Sequence, residues 1–108
     1  MAVVADPQHR GLLAAIASRD QREICDLLLP NARTWISADV DGQAATVAAL
    51  CDQLRTADLS RMRVFEGYSR TVVRIPGAQA HAGAAMTVSA LWHLGRITDL
   101  RCYLDGPA

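Results

Sequence analysis

The sequence predicts an α+β domain in which a curved antiparallel sheet wraps around three N-terminal helices, in the order α-α-β-α-β-β-β-β. Three observations carry this prediction. From Arg96 to Leu104 the chain alternates, with Leu100, Cys102 and Leu104 on one face and Asp99, Arg101 and Tyr103 on the other, the period of a strand with one buried side. Residues 43–57 instead repeat their apolar positions at helical spacing, Val47, Leu50, Cys51 and Leu54 falling at i, i+3, i+4 and i+7. Finally, every helical pattern lies before Arg61 and every strand pattern but one lies after it, the segregation expected of helices packed on one face of a sheet.

Each element has its local cause. Asp6-Pro7 offers a cap acceptor followed by proline at the first helical position, and Leu12, Leu13 and Ile16 give the helix its apolar stripe. His9 falls in the first turn of that helix. Asp20-Gln21-Arg22-Glu23 resembles a capping box. The helix it opens buries Ile24, Leu27 and Leu28 and ends before Pro30. Ala32 to Ala38 reads as a strand, Thr34 and Ile36 opposing Arg33, Trp35 and Ser37, and Asp39-Val40-Asp41-Gly42 turns the chain into the 43–57 helix. Strands follow at Met62–Phe65, Tyr68–Ile75, Ala80–His93 and Arg96–Leu104, with turns at Pro76-Gly77 and Leu94-Gly95-Arg96. On the long third strand Met86, Val88, Ala90 and Trp92 form the core side.

With 108 residues the chain is read as a single domain, 1–108. At this size roughly two thirds of the unfolded surface can be buried, without help from disulfides or metals. All eleven cations are arginine and they balance eleven acids. A neutral chain with no basic block argues against general nucleic-acid binding. The N-terminus lacks the basic flank and apolar run of a signal peptide, and no segment approaches a membrane span. Cys25, Cys51 and Cys102 lack metal-like spacing and fall on apolar faces, as unpaired core thiols in a reducing, cytoplasmic setting do. No pair of histidines is spaced for a metal, and no cofactor motif occurs.

Three stretches together resemble SnoaL-like proteins of the nuclear-transport-factor-2-like superfamily. They are Ala14-Ala15-Ile16-Ala17-Ser18-Arg19-Asp20, the step Leu28-Leu29-Pro30-Asn31-Ala32, and Gly95-Arg96-Ile97 through Tyr103-Leu104-Asp105. The resemblance covers roughly residues 10 to 105, and it implies a cone with a pocket in its mouth. It implies no reaction. Relatives such as ketosteroid isomerase, limonene-epoxide hydrolases and polyketide cyclases place acids and bases on inward positions. Here the corresponding positions near Leu12, Ile36 and Ala90 are apolar, and Cys102 stands between Arg101 and Tyr103 where the hydrolases keep an aspartate.

The inner face is therefore expected to be an apolar lining, formed by Ile36, Val73, Met86, Val88, Ala90, Trp92, Leu100, Cys102 and Leu104, with Thr34 and Thr71 as its polar groups. Cys102 lacks the cation or base that would make its thiol reactive. Asp39, Asp41, Tyr68 and His81 are the candidates for acid–base work at the mouth, each with an ordinary structural role as well: turn and cap for the aspartates, a surface anchor for the tyrosine, a strand end for the histidine.

On the opposite, convex face Arg33, Trp35, Leu91, His93, Asp99, Arg101 and Tyr103 form an aromatic patch beside arginines, as interfaces do. In the superfamily this face commonly joins two copies sheet to sheet, and Asp99 is placed to meet an arginine across a two-fold axis. Three functions follow as expectations. The first is a cytoplasmic homodimeric cone holding a small apolar molecule without catalytic residues. The second is an acid–base enzyme of cyclase or isomerase type. The third is a non-catalytic interaction module, because Glu66-Gly67-Tyr68 through Leu104 also resembles the tail domain of some sigma factors, although the usual Asn-Pro-Asp ending is replaced by Leu104-Asp105-Gly106-Pro107.

Overall fold

The first two helices, α1 (Pro7–Ser18) and α2 (Gln21–Leu27), meet at a tight corner. Arg19 takes φ +56° to end α1, and the Asp20 carboxylate caps α2 by accepting from the Arg22 N–H at 2.9 Å. Arg19 also reaches across to α3 (Gln43–Leu54), where its Nε donates to the Leu54 carbonyl at 2.8 Å. A cation is favoured at that end of a helix. These positions come from a computed structural model that describes residues 7–37, 42–55, 57–76 and 85–105. Asp6, the loop at Asp39 and Asp41, and the segment carrying His81 lie outside the described residues.

Strand β1 (Leu28–Ile36) follows α2 with no loop between them. It begins four residues earlier than the sequence pattern suggested, and Leu28 belongs to it rather than to the helix. Pairing explains the difference: Leu28 is buried opposite Ile97, and the register shifts between Leu28 and Arg33, leaving Pro30 in an irregular stretch where its missing N–H is tolerated. The Gln43 side-chain amide compensates there. Its Nε2 lies 3.1, 3.1 and 3.0 Å from the carbonyls of Leu29, Pro30 and Ala32.

Helix α3 ends at Leu54, three residues short of the expected 57, and a 3-10 turn at Leu59–Arg61 follows. Asp58 caps that turn by accepting from the Ser60 N–H. The remaining strands are β2 (Arg63–Glu66), β3 (Arg70–Pro76), β4 (Ala85–His93) and β5 (Arg96–Asp105). They form one sheet in the order β1-β5-β4-β3-β2. Four strands run as an antiparallel meander, and β1 joins β5 in parallel, so the sheet is mixed where an antiparallel one was expected. The fold class stands: three helices cover one face of the sheet. Leu12, Ile16, Ile24, Val47, Leu50 and Leu54 from the helices meet Ile36, Val73, Ile75, Val88 and Leu100 from the strands in one buried core.

The β4–β5 hairpin departs from simple alternation at one point. Leu91 pairs with Asp99 but Trp92 pairs with Ile97, so Thr98 is the extra residue of a bulge. Alternation counted back from Leu100 would turn Thr98 inward. The bulge turns Ile97 inward instead, and Ile97 is fully buried.

At the hairpin's tip both Leu94 and Gly95 have positive φ, +51° and +81°, the requirement of a two-residue turn that Asn-Gly satisfies best. Leu94 is almost fully exposed, so it pays a left-handed backbone cost with no burial in return. Leu94→Asn is expected to stabilise the protein by about 1 kcal/mol, measured as a shift of the urea midpoint at unchanged slope.

Candidate functional site

Cross-strand register puts every predicted lining residue on the concave face. Thr34, Leu100, Ala90 and Thr71 form one row across β1, β5, β4 and β3; Ile36, Cys102, Val88 and Val73 form the next; Leu104 pairs with Met86. The central members Val73, Val88, Ala90, Leu100 and Cys102 have no exposed surface. No space large enough for water touches them, so this part of the cone is a packed floor. Burial pushes the Cys102 thiol up to about 12, which removes the nucleophilic thiolate at neutral pH. The Cys25 and Cys51 thiols are also raised, chiefly by burial.

Polar chemistry gathers at the β2–β3 side of this face. Glu66 and Thr71 are direct cross-strand partners and so project to the same side. His9, from the first turn of α1, is only 2% exposed, and its Nδ1 is hydrogen-bonded to Thr71 Oγ1. The Trp92 indole Nε1–H donates to the same hydroxyl at 2.7 Å. His9 Nε2 lies 4.0 Å from Glu66 Oε1, and the glutamate side chain is 37% exposed.

The directions of these bonds follow from what each group can give. With the ring proton on Nε2, Nδ1 accepts from the Thr71 hydroxyl, which itself accepts from the Trp92 N–H. A relay results: indole to hydroxyl to imidazole, with the carboxylate beyond it at the solvent edge. Thr71, His9 and Glu66 stand in the order of a nucleophile, base and acid. Thr71 is nevertheless completely buried and its oxygen already accepts the indole proton, so no substrate carbon can approach it. What the arrangement does is hold the His9 imidazole against Thr71 with its second ring nitrogen 4.0 Å from the Glu66 carboxylate.

Of the residues predicted for acid–base work, Tyr68 is fully exposed in the turn between β2 and β3, apart from the polar set. Thr71 and Trp92 were expected in the lining and are there. His9 and Glu66 were not expected, although His9 precedes Leu12 by three residues and Ile16 by seven, which places it on the buried stripe of α1. Among the described residues no group of three or more histidine, cysteine or acidic side chains is arranged to hold a metal ion.

On the convex face Arg33, Asp99 and Leu91 form one row, and Trp35 pairs with Arg101. The Trp35 and Tyr103 rings lie 5.2 Å apart at 58°, and they remain 46% and 39% exposed. They flank a depression of about 280 Å³ lined also by Arg33, Thr34, Asp99 and Arg101. His93 is exposed at the hairpin end of the same face.

Thr71→Val keeps the shape of the side chain but leaves the indole N–H of Trp92 without its acceptor and His9 Nδ1 without its donor. A loss of about 2–3 kcal/mol is expected, while Thr71→Ser stays within about 1 kcal/mol of the parent; urea unfolding of the two variants measures both.

No family model and no curated protein matches the sequence. Solved structures do match in shape. A bacterial protein with a cystatin-like fold from Silicibacter pomeroyi is similar at 14% identity with a TM-score of 0.72, over 94% of this chain and 75% of that one. A protein with a ketosteroid isomerase-like fold from Catenulispora acidiphila, in complex with trimethylamine, matches at 8% identity and TM-score 0.60, over 93% and 86%. A candidate SnoaL-like polyketide cyclase from Jannaschia matches at 14% identity and TM-score 0.62, over 96% and 92%. Identities this low speak for the fold and not for a reaction. The chain has the cone fold of the nuclear-transport-factor-2-like, SnoaL-like proteins.

Proposed function

We propose that this protein is a small-molecule-binding cone domain that receives a largely apolar organic ligand, bearing one oxygen function, at the His9–Glu66 end of its concave face. The observation that carries the reading is the buried imidazole. A core this apolar gains nothing from a histidine at that position, because burying a polar group costs free energy unless it is fully bonded. His9 is held by Thr71, Thr71 by Trp92, and the second ring nitrogen turns toward a carboxylate that solvent can reach. The packed floor below limits how deep a ligand sits, and the aromatic edge of Trp92 supplies an apolar wall. The unpaired Cys25, Cys51 and Cys102 support a reducing, cytoplasmic setting.

The nearness of an imidazole and a carboxylate, His9 Nε2 lying 4.0 Å from Glu66 Oε1, favours a second reading. In it, a ligand oxygen or an acidic C–H sits against this pair, and His9 exchanges a proton with it as an enzyme of the isomerase or cyclase type would. One set of experiments separates the two. Bicyclic ketones and phenols are titrated against the parent hydrocarbons, with amide shifts at Glu66, Thr71 and Trp92 as the readout. Binding at least about tenfold tighter for the oxygenated compounds, lost in His9→Leu, is expected. Hydrocarbons binding equally well overturn the proposal. With an enolisable ketone in D₂O, catalysed deuterium uptake that Glu66→Gln slows supports the acid–base reading, and binding without uptake supports the binding reading.

We further propose that two copies associate through the convex face. Support comes from the exposed Trp35–Tyr103 pair and from the mixed charges around it: in a two-fold contact Asp99 of one copy faces the Arg33 or Arg101 of the other. Sedimentation is expected to give a dimer for the parent chain and a folded monomer for Trp35→Arg; a monomeric parent overturns the assignment.

A further inference from the structure

The turn between β2 and β3 is fastened on both sides to the elements that build the His9–Glu66 end. The Gly67 N–H donates to the Arg70 carbonyl at 2.7 Å, and the main-chain N–H of Trp92 donates to the Ser69 carbonyl at 2.7 Å. Arg70 is itself held, its guanidinium donating to Ser89 Oγ at 2.8 Å. A Cβ at position 67 would stand 3.2 Å from the Arg70 carbonyl oxygen, so the chain closes this tightly only with glycine. Trp92 acts twice from one position. Its backbone fixes the turn, and its indole fixes Thr71 and through it His9.

Tyr68 stands in this turn, between Gly67 and Ser69. Its side chain is fully exposed and has no hydrogen bond or ring contact among the described residues. A lone exposed ring is ordinary; the position of this one is not. Tyr68 follows Glu66 by two residues, which puts its Cα at most about 7 Å from that of the glutamate. Glu66 projects to the concave side as the direct partner of Thr71, and a tyrosine side chain is long enough to span the gap. With the backbone pinned, the motion left to Tyr68 is rotation about its own side-chain torsions, which is fast for an exposed residue.

We propose that Tyr68 is a specificity-determining residue of this site: when a molecule occupies the His9–Glu66 end, the Tyr68 ring turns over its apolar body and covers it from solvent. The inference rests on the reading of that end as a ligand site. The chemistry of the side chain suits the task. A phenol packs one face of its ring on a flat molecule while its hydroxyl stays in water, and only two torsions are fixed in doing so. The gain grows with the apolar area covered, so the residue selects flat, multi-ring molecules over small ones with the same oxygen function. The packed floor holds such a molecule near the mouth, where Tyr68 reaches it.

Titrations of the full chain with α-tetralone and with cyclopentanone, followed by amide shifts at Glu66 and Thr71, test the proposal. Tyr68→Ala is expected to weaken α-tetralone about tenfold and to leave the weaker binding of cyclopentanone unchanged. Tyr68→Phe binds α-tetralone as the parent does, because the ring does the covering. Nuclear Overhauser contacts between the Tyr68 ring protons and bound α-tetralone are expected in the parent chain. The urea midpoint of Tyr68→Ala stays at the parent value, since the ring has no partner in the free chain. If α-tetralone binding is lost in His9→Leu but stays within about twofold of the parent in Tyr68→Ala, the covering role falls and the site stands. Equal weakening of both ketones by Tyr68→Ala, or a Tyr68→Phe variant as weak as Tyr68→Ala, also overturns the covering role. No saturable shift with α-tetralone at millimolar concentration overturns the site and the covering role together.

Discussion

Everything in this fold hangs on the pairing of β4 with β5. Nine residue pairs from Ala85–Asp105 to His93–Arg96 hold these two strands together. On one side β5 supplies the edge that β1 joins; on the other β4 supplies the edge for β3, and through it β2. The helices have no alternative surface of comparable size on which to bury their apolar stripes. The bulge at Thr98 gives the hairpin a second role, since it decides which side chains at the tip end face the helices. With it, Ile97 enters the core and Trp92 stays on the concave side, where its indole meets Thr71. A regular hairpin would have offered a threonine to the core at that point.

The concave face divides physically into two zones. Its floor is hydrocarbon and a thiol too well buried to ionise at neutral pH, and it contributes stability rather than chemistry. Its β2–β3 side is a chain of hydrogen bonds from Trp92 through Thr71 to His9, with the Glu66 carboxylate 4.0 Å beyond the ring near solvent. In such a low-dielectric setting each bond is strong when made and costly when broken. The bonds from Trp92 to Thr71 and from Thr71 to His9 hold the imidazole in one orientation against the sheet.

Much of this architecture was legible in the sequence because strict alternation has few explanations. Leu100, Cys102 and Leu104 had to share a face, as did Met86, Val88, Ala90 and Trp92. Where the reading slipped, long-range pairing had overruled local pattern. Leu28 looks helical until Ile97 claims it. His9 was legible in principle from its spacing to Leu12 and Ile16, but a histidine in a first helical turn reads as surface until the stripe is followed back to it. Glu66 had no comparable signal. In a strand of four residues, alternation is too short to say whether Phe65 or its neighbours face inward, and the more apolar residue proves to be the outward one. The arginines of the convex face were individually visible as outward residues, yet their gathering on one surface depends on register across strands that the sequence does not align by itself.

The parallel pairing of β1 with β5 sets a condition on the order in which the molecule can be assembled. Thr34 and Leu100 are neighbours in the sheet and 66 residues apart in the chain. On a ribosome, α1, α2, β1 and α3 all emerge before the strand that joins β1 to the meander. Until β5 arrives, Ile36 and the helical stripes have no completed sheet to cover them, so a shortened chain exposes the surface that the finished cone conceals. Pro30 and the Gln43 clamp keep part of β1 from offering a regular edge during that interval. The strand that closes the sheet is thus also the one that ends the period of greatest risk for a growing chain.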